Sequence, residues 1–459
     1  MRIEHDSLGE LAVPKDALYG IHTLRARENF PLESIKNDPE LCKNFLLVKE
    51  AAAIANMKAG AWEDKRIPTA IISSCDYLYH NFSYYHQEFD LPALQGGAGT
   101  STNMNINEII ANKALQELGL PLGDYQYISP NDDVNKSQST NDTYPTAGHL
   151  TMIKFTRTVM DELSKVITTL QDLATKYQDV LKMGRTQLED AVPTTFGRSF
   201  KAYASVLSRD MDRLAAVCQK LMTIPLGGTA IGTGVTGNRS YMDTVVDELA
   251  TLTKLPLKQC DDLVDGIQNK DCYVSLSNAY RSLAVDLSKM SNDLRLLNSG
   301  PQDGLSEINL PKRQAGSSIM PGKVNPVIPE FCTQVAYQVM GHATTVAMAA
   351  EAGQLELNAF EPVAFYDLFE DARLLRKALH TLDKNCLQGI TINIERCIAM
   401  VEHSAETATA LSPVLGYERT TEIIKESLRT GKSIRALVKD EISQEKLDEL
   451  LSPASFFVK

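Results

Sequence analysis

The stretch from Thr151 to Met183 contains neither glycine nor proline, and its apolar residues fall in two rows of heptad spacing. Met152, Val159, Val166, Leu173 and Val180 form the first row, and Leu163, Leu170 and Tyr177 form the second. Two such rows make a seam that only other helices can cover. A long helix over 151–183 therefore commits the chain to a bundle. A second run, 198–222, carries Phe200, Tyr203, Leu207, Met211, Leu214, Cys218 and Leu221 on one face. A third, 273–298, carries Leu276, Tyr280, Leu283, Leu287, Leu294 and Leu297, and weaker helical patterns cover 329–351 and 363–383, the latter just after Pro362. Strand-like alternation is scarce and no βαβ rhythm is present. The expected fold class is all-α, built around a long central helical bundle.

Segments rich in Gly, Ser, Thr and Asn separate these runs: 96–107, 129–146, 184–195, 226–238 and 313–328. They read as connections rather than bundle helices. From about 395 the helical patterns shorten to 397–412, 418–429 and 433–440, interrupted by Pro413 and Gly416, which marks a small C-terminal domain. A chain of 459 residues exceeds one ordinary core, so two or three domains are expected.

Composition narrows the function. The net charge of −12 argues against nucleic acid and anionic membrane surfaces, which need a basic footprint. It leaves room for a small anionic substrate, because distant charge is screened over a Debye length of about 8 Å. No apolar run approaches the ~20 residues of a membrane span, and the acidic start Met1-Arg2-Ile3-Glu4-His5-Asp6 lacks a signal peptide's apolar stretch. The eight cysteines are scattered without a CxxC pair, as expected of reduced, buried thiols in a cytoplasmic protein. The histidines fit no metal pattern, and neither a metal nor another cofactor is expected.

Four segments can carry chemistry. The first is Gly316-Ser317-Ser318-Ile319-Met320-Pro321-Gly322-Lys323-Val324-Asn325-Pro326. It reads either as a mobile loop holding a serine base and a carboxylate-binding Lys/Asn pair, or as an ordinary surface turn. A phosphate-binding P-loop is rejected. Five residues separate the glycines where that motif has four, Val324 replaces the metal-binding Ser/Thr, and no buried strand precedes. The second segment, Gly99-Thr100-Ser101-Thr102-Asn103-Met104-Asn105, runs into a helical pattern from Ile106. The third, Asn135-Lys136-Ser137-Gln138-Ser139-Thr140-Asn141-Asp142, precedes the long helix. Helix N-termini offer free N–H groups and a positive dipole end to a carboxylate, though simple N-capping favours the same residues. Two such clusters and a loop of similar chemistry favour a shared anion site. The fourth segment, Gly184-Arg185-Thr186-Gln187-Leu188-Glu189-Asp190-Ala191, begins with a glycine placed to end the helix, then presents Thr186 and Gln187 as uncharged hydrogen-bonding groups. The run Gly227–Gly234 lacks the strand and acidic ribose ligand of a dinucleotide loop and reads as a connection between bundle helices.

In this order the four segments resemble the fumarase/aspartase superfamily. The loop at 316–326 is similar to its GSSxMPxKxN signature, and the likeness runs from Gly20-Ile21-His22-Thr23-Leu24-Arg25-Ala26 to Gly431-Lys432-Ser433. Within the superfamily, His22-Thr23-Leu24, Ser101, Thr140 and Gln187 resemble the branch that deaminates aspartate more than the fumarases. The resemblance implies three all-α domains, 1–138, 139–394 with its loop at 313–328, and 395–459. It implies a homotetramer whose active sites are each shared by three chains. The implied reaction is reversible deamination of L-aspartate to fumarate and ammonia, through proton abstraction from Cβ and an aci-carboxylate. Ser317 is then the general base. Lys323, Asn325 and Thr186 grip the α-carboxylate, Thr100, Ser139, Thr140 and Ser318 hold the β-carboxylate, and Asn141 and Gln187 orient the amino group. One departure is Ser129, where many relatives have His before Pro130-Asn131-Asp132, which weakens any second anion site there. The alternatives are fumarate hydration and a non-catalytic structural member, which would be expected to lack Ser317, Lys323 or Asn141. Cleavage of argininosuccinate or adenylosuccinate fits the first two segments less well.

Overall fold

A computed structural model describes residues 1–451. They divide into two compact units. One comprises Met1–Met160, Asp212–Ser282 and Gln338–Leu375; the other comprises Asp161–Met211, Leu283–Tyr337 and the chain from Arg376 onward. Helices dominate, as expected, and the strands pair only in twos.

The chain opens with the hairpin β1 (Arg2–Asp6) and β2 (Gly9–Val13), followed by α1 (Ile21–Asn29), α2 (Pro39–Lys58), α3 (Arg66–His80), the short α4 (Phe82–Tyr85) and α5 (Thr100–Glu117). Asp38 caps α2 by accepting the Glu40 N–H at 2.7 Å, with Pro39 as the first helical residue. Helix α1 has no such local cap. Instead Glu108 of α5 accepts the N–H groups of Gly20 and His22, each at 2.8 Å, and Glu4 accepts that of Ile21 at 2.9 Å. Carboxylates at this positive helix end supply what the sequence around Gly20 does not.

Next come α6 (Thr140–Lys176), the hairpin β3 (Leu181–Thr186) and β4 (Glu189–Thr195), α7 (Phe196–Lys220), β5 (Thr223–Ile224), α8 (Arg239–Thr253), β6 (Lys258–Gln259), α9 (Leu263–Gln268) and α10 (Asp271–Leu297). After β7 (Ile308–Asn309) follow α11 (Val327–Glu351), α12 (Glu361–Asn385) and β8 (Thr391–Ile392), which pairs with β7. The heptad residues Val159, Leu163, Val166 and Leu170 are fully buried, as are Leu276, Tyr280 and Leu283 of α10. Each aliphatic side chain so buried contributes about 1.5–3 kcal/mol. Helix α13 (Ile394–His403) packs against β3. The shorter helices α14 (Ser412–Leu415), α15 (Tyr417–Thr430), α16 (Ile434–Val438) and α17 (Gln444–Leu450) gather around an apolar cluster of Ala408, Leu411, Ile423, Ile434, Val438, Ile442 and Leu447.

Four expectations need correction. Helix α6 begins at Thr140, well before 151, and accommodates Pro145 and Gly148; a Cβ on Gly148 would lie 2.1 Å from the Phe365 ring. It ends at Lys176, not 183. The segment from 184 is a β-hairpin rather than a loop, so Gly184 ends no helix; it sits in β3, where a Cβ would meet the Val192 carbonyl at 2.5 Å. Helix α5 begins at Thr100, not Ile106.

Candidate active site

The first unit builds one polar cluster. Gly97, Ala98 and Gly99 all have positive φ, at 88°, 54° and 87°, and this left-handed run turns the chain into α5 with Thr100 exposed at its first residue. Behind it, Asn103 is buried and donates to the hydroxyl of Thr140 at 2.9 Å and to Asn135 Oδ1 at 3.1 Å. Ser139 is the N-cap of α6. Its Oγ accepts the Asn141 N–H at 3.2 Å, while its own N–H donates to Asp142 Oδ1 at 3.0 Å, a capping box with Asp in the reciprocal position. Capping uses the Ser139 oxygen as acceptor and leaves the hydroxyl proton to be donated.

Asp142 is the cluster's anchor. It is fully buried, and its Oδ2 accepts the N–H groups of Gly227 at 3.1 Å and Thr229 at 3.0 Å. Burial pushes its carboxyl up to about 6, against these three backbone donors and the charge of Lys49. Lys49 is itself buried, donates to Asn135 Oδ1 and Gln138 Oε1 at 2.9 Å each, and is pushed down to about 7. The turn that Asp142 holds also fixes Asn141, whose Nδ2 donates to the Ala230 carbonyl at 2.7 Å, leaving Oδ1 as an acceptor. The sequence alone assigns no role to Asn103, Lys49 or Asp142. The spacing of Asp142 three residues after Ser139 was the available signal.

In the second unit, Gln187 and Leu188 form the two-residue turn of the β3–β4 hairpin, with φ of 55° and 70°. Positive φ at both central positions is the geometry of a type I′ turn, usually Asn-Gly, and two larger side chains there carry strain of about 1 kcal/mol or more each. Thr186 and Gln187 are exposed at the tip.

The signature loop closes on itself within the same unit. Gly316 N–H donates to the Lys323 carbonyl, and Asn325 Nδ2 donates to the Gly316 carbonyl, both at 2.8 Å. Inside this neck, Ser317 Oγ accepts the N–H groups of Met320 at 2.8 Å and Ile319 at 3.2 Å. Two donors on one hydroxyl oxygen favour its deprotonated form. Ser318 and Lys323 are exposed, and no ion pair holds the Lys323 ammonium among the described residues. Asn325 thus has a structural duty in addition to any toward a ligand. A Cβ at Gly316 would lie 2.7 Å from both Asn325 N and the Lys323 carbonyl oxygen. Gly316→Ala should therefore open the neck and lower kcat/KM by about 10²-fold, with melting little changed because the loop is exposed. Steady-state kinetics and a thermal melt check this.

The sequence-derived residues thus fall in two groups. Thr100, Ser139, Thr140 and Asn141 belong to the first unit; Thr186, Gln187, Ser317, Ser318, Lys323 and Asn325 belong to the second. Ser129 caps the turn at Pro130–Val134, accepting from Asn131 and Asp132 N–H.

A helical chain with a closed Gly-Ser-Ser loop and hydroxyl-rich helix starts defines a class: residues 9–341 match the family described as Lyase, and 408–457 match the fumarase C C-terminus. The chain belongs to the fumarase/aspartase superfamily of lyases. It is 47% identical to the aspartate ammonia-lyase of Pseudomonas aeruginosa over 98% of this chain and 96% of that protein. A crystal structure of a fumarate lyase:delta crystallin from Brucella melitensis bound to cobalt superposes with a TM-score of 0.96 at 45% identity, covering 100% of both chains. A class II fumarase from Schistosoma mansoni superposes with a TM-score of 0.93 at 32% identity, covering 98% of each.

Proposed function

We propose that the protein interconverts L-aspartate with fumarate and ammonia, using Ser317 as the base. The observation that carries this reading is the Ser317 oxygen receiving two backbone N–H groups inside the closed loop. The pro-fumarate step breaks a Cβ–H bond, moves the proton to the Ser317 alkoxide and places two negative charges on the β-carboxyl group. Neutral donors must catch that charge, and each such donor typically contributes about 10²–10³ in rate. Thr100, Ser139, Thr140 and Ser318 supply hydroxyl protons for it. Lys323, Asn325 and Thr186 hold the α-carboxylate, while Asn141 and Gln187 orient the amino group that leaves as ammonia when the C–N bond breaks. No cofactor is required by this sequence of steps.

Active sites assembled between chains of a homotetramer belong to the same reading, as the likeness to the superfamily implies. The exposed Tyr337 and Met348 of α11 and Val285 of α10 supply apolar surface for such an assembly. The three-domain division at 138/139 and 394/395 belongs to the same reading, as does a cytoplasmic location, supported by eight unpaired cysteines. No helix among the described residues is long and apolar enough to cross a membrane.

Fumarate absorbance tests the reaction. Purified protein given L-aspartate should raise it, and L-malate should not. A rise with malate alone would make the protein a hydratase.

A further inference from the structure

We infer that Glu307 is a positioning residue that holds the Thr186–Gln187 hairpin to the root of the Ser317 loop. The inference rests on the aspartate-lyase reading and deepens it. Glu307 lies wholly within the second unit and its side chain is fully shielded from solvent. A buried carboxylate must be paired, and here it is paired twice. Arg185 Nη1 donates to its Oε1 at 2.5 Å, and Lys182 Nζ lies 3.3 Å from its Oε2.

The geometry of β3 makes this convergence informative. In a regular strand, residues three apart point to opposite faces. The register of β3 against β4 shifts between Met183 and Arg185, and both cations reach the same carboxylate. Arg185 is the residue immediately before Thr186, so its guanidinium fixes the strand at the point where the candidate ligand groups begin.

The other side of the link is equally fixed. The Glu307 N–H donates to the Leu297 carbonyl, and its carbonyl accepts the Asn393 N–H, both at 2.9 Å. The next two residues, Ile308 and Asn309, pair with Ile392 and Thr391. Ser317 follows only ten positions after Glu307. One carboxylate thus ties the hairpin carrying Thr186 and Gln187 to the anchored strand from which the loop departs. The predicted consequence is kinetic. Loosening this link displaces Thr186, which grips the α-carboxylate in both ground and transition states, and Gln187, which orients the amino group of the bound substrate, while leaving the Ser317 turn intact.

The test is a KM-against-kcat split on full-length protein. Glu307→Gln keeps the shape and removes the charge that holds both cations. KM for L-aspartate should rise ~10-fold or more while kcat stays within about threefold, the pattern of lost uniform binding. Arg185→Lys, which keeps the charge but not the planar fork, should move KM in the same direction and serves if Glu307→Gln fails to fold. A merely structural role would not produce coupling. Thr186→Val should raise KM ~10-fold in the wild-type background and less than about threefold beside Glu307→Gln. Additive effects, or wild-type KM in both Glu307→Gln and Arg185→Lys, would overturn the inference while the wild-type enzyme still converts aspartate. Failure of the wild type to make fumarate from aspartate would instead sink the functional reading itself.

Discussion

Replacing Ser317 with alanine is expected to lower kcat for L-aspartate by ~10³-fold or more, the scale of losing a positioned general base. KM should stay within a few-fold, because the carboxylate-holding side chains remain. Folding should be nearly untouched. Ser317 is in a solvent-facing loop, and its two accepted N–H bonds lie in a turn where water can replace them at a cost of about 1 kcal/mol. Circular dichroism, size-exclusion elution and steady-state kinetics on the same preparation separate these effects. A variant that retains more than a tenth of wild-type kcat would remove Ser317 from the chemistry.

Asp142→Ala should have the largest effect on stability. The carboxylate accepts three backbone N–H groups, from Ser139, Gly227 and Thr229, in a fully buried place. Deleting it orphans all three donors and removes the nearby charge that favours the buried Lys49 ammonium. Each buried donor left unsatisfied costs about 1–3 kcal/mol. The midpoint of urea unfolding should fall accordingly, and activity should fall with it, since Asp142 holds both the first turn of α6 and the turn that fixes Asn141. Asp142→Asn is the milder comparison, because its amide retains one acceptor oxygen but turns an N–H toward another N–H. An unchanged unfolding midpoint for Asp142→Ala would show that the three donors find other partners.

The bundle was legible in sequence because its helices bury apolar stripes. The patterns at 198–222, 273–298, 329–351 and 363–383 became α7, α10, α11 and α12 within a few residues at each end. Where burial is polar, hydrophobic periodicity fails. Helix α5 buries Thr102, Asn103, Asn105, Asn107, Glu108 and Asn112, so its first turn and a half looked like a loop. Those side chains bond to other segments: Asn105 to the Glu88 carbonyl, Glu108 to the start of α1, Asn112 to the Leu18 carbonyl. The early part of α6 is hidden by Pro145 and Gly148, both local helix breakers, although at Gly148 the missing side chain makes room for the Phe365 ring. Its late part was overextended because the heptad continues to Val180 while the chain has already turned, with Gly197 N–H bonded to the Tyr177 carbonyl. The candidate site is legible as a set of residue types, through the motif at 316–326 and two helix starts. The side chains that hold it in shape, Asn103, Asp142, Lys49 and Glu307, are scattered along the chain and gain meaning only when the fold brings them to their partners.

The most direct measurement is a crystal structure of the full protein with L-aspartate bound to the Ser317→Ala variant. If residue 317 supplies the base, the β-carbon should lie where a serine oxygen would be within ~3–3.5 Å of it, with the α-carboxylate on Lys323. A dicarboxylate seated away from both 317 and 323 would contradict that assignment.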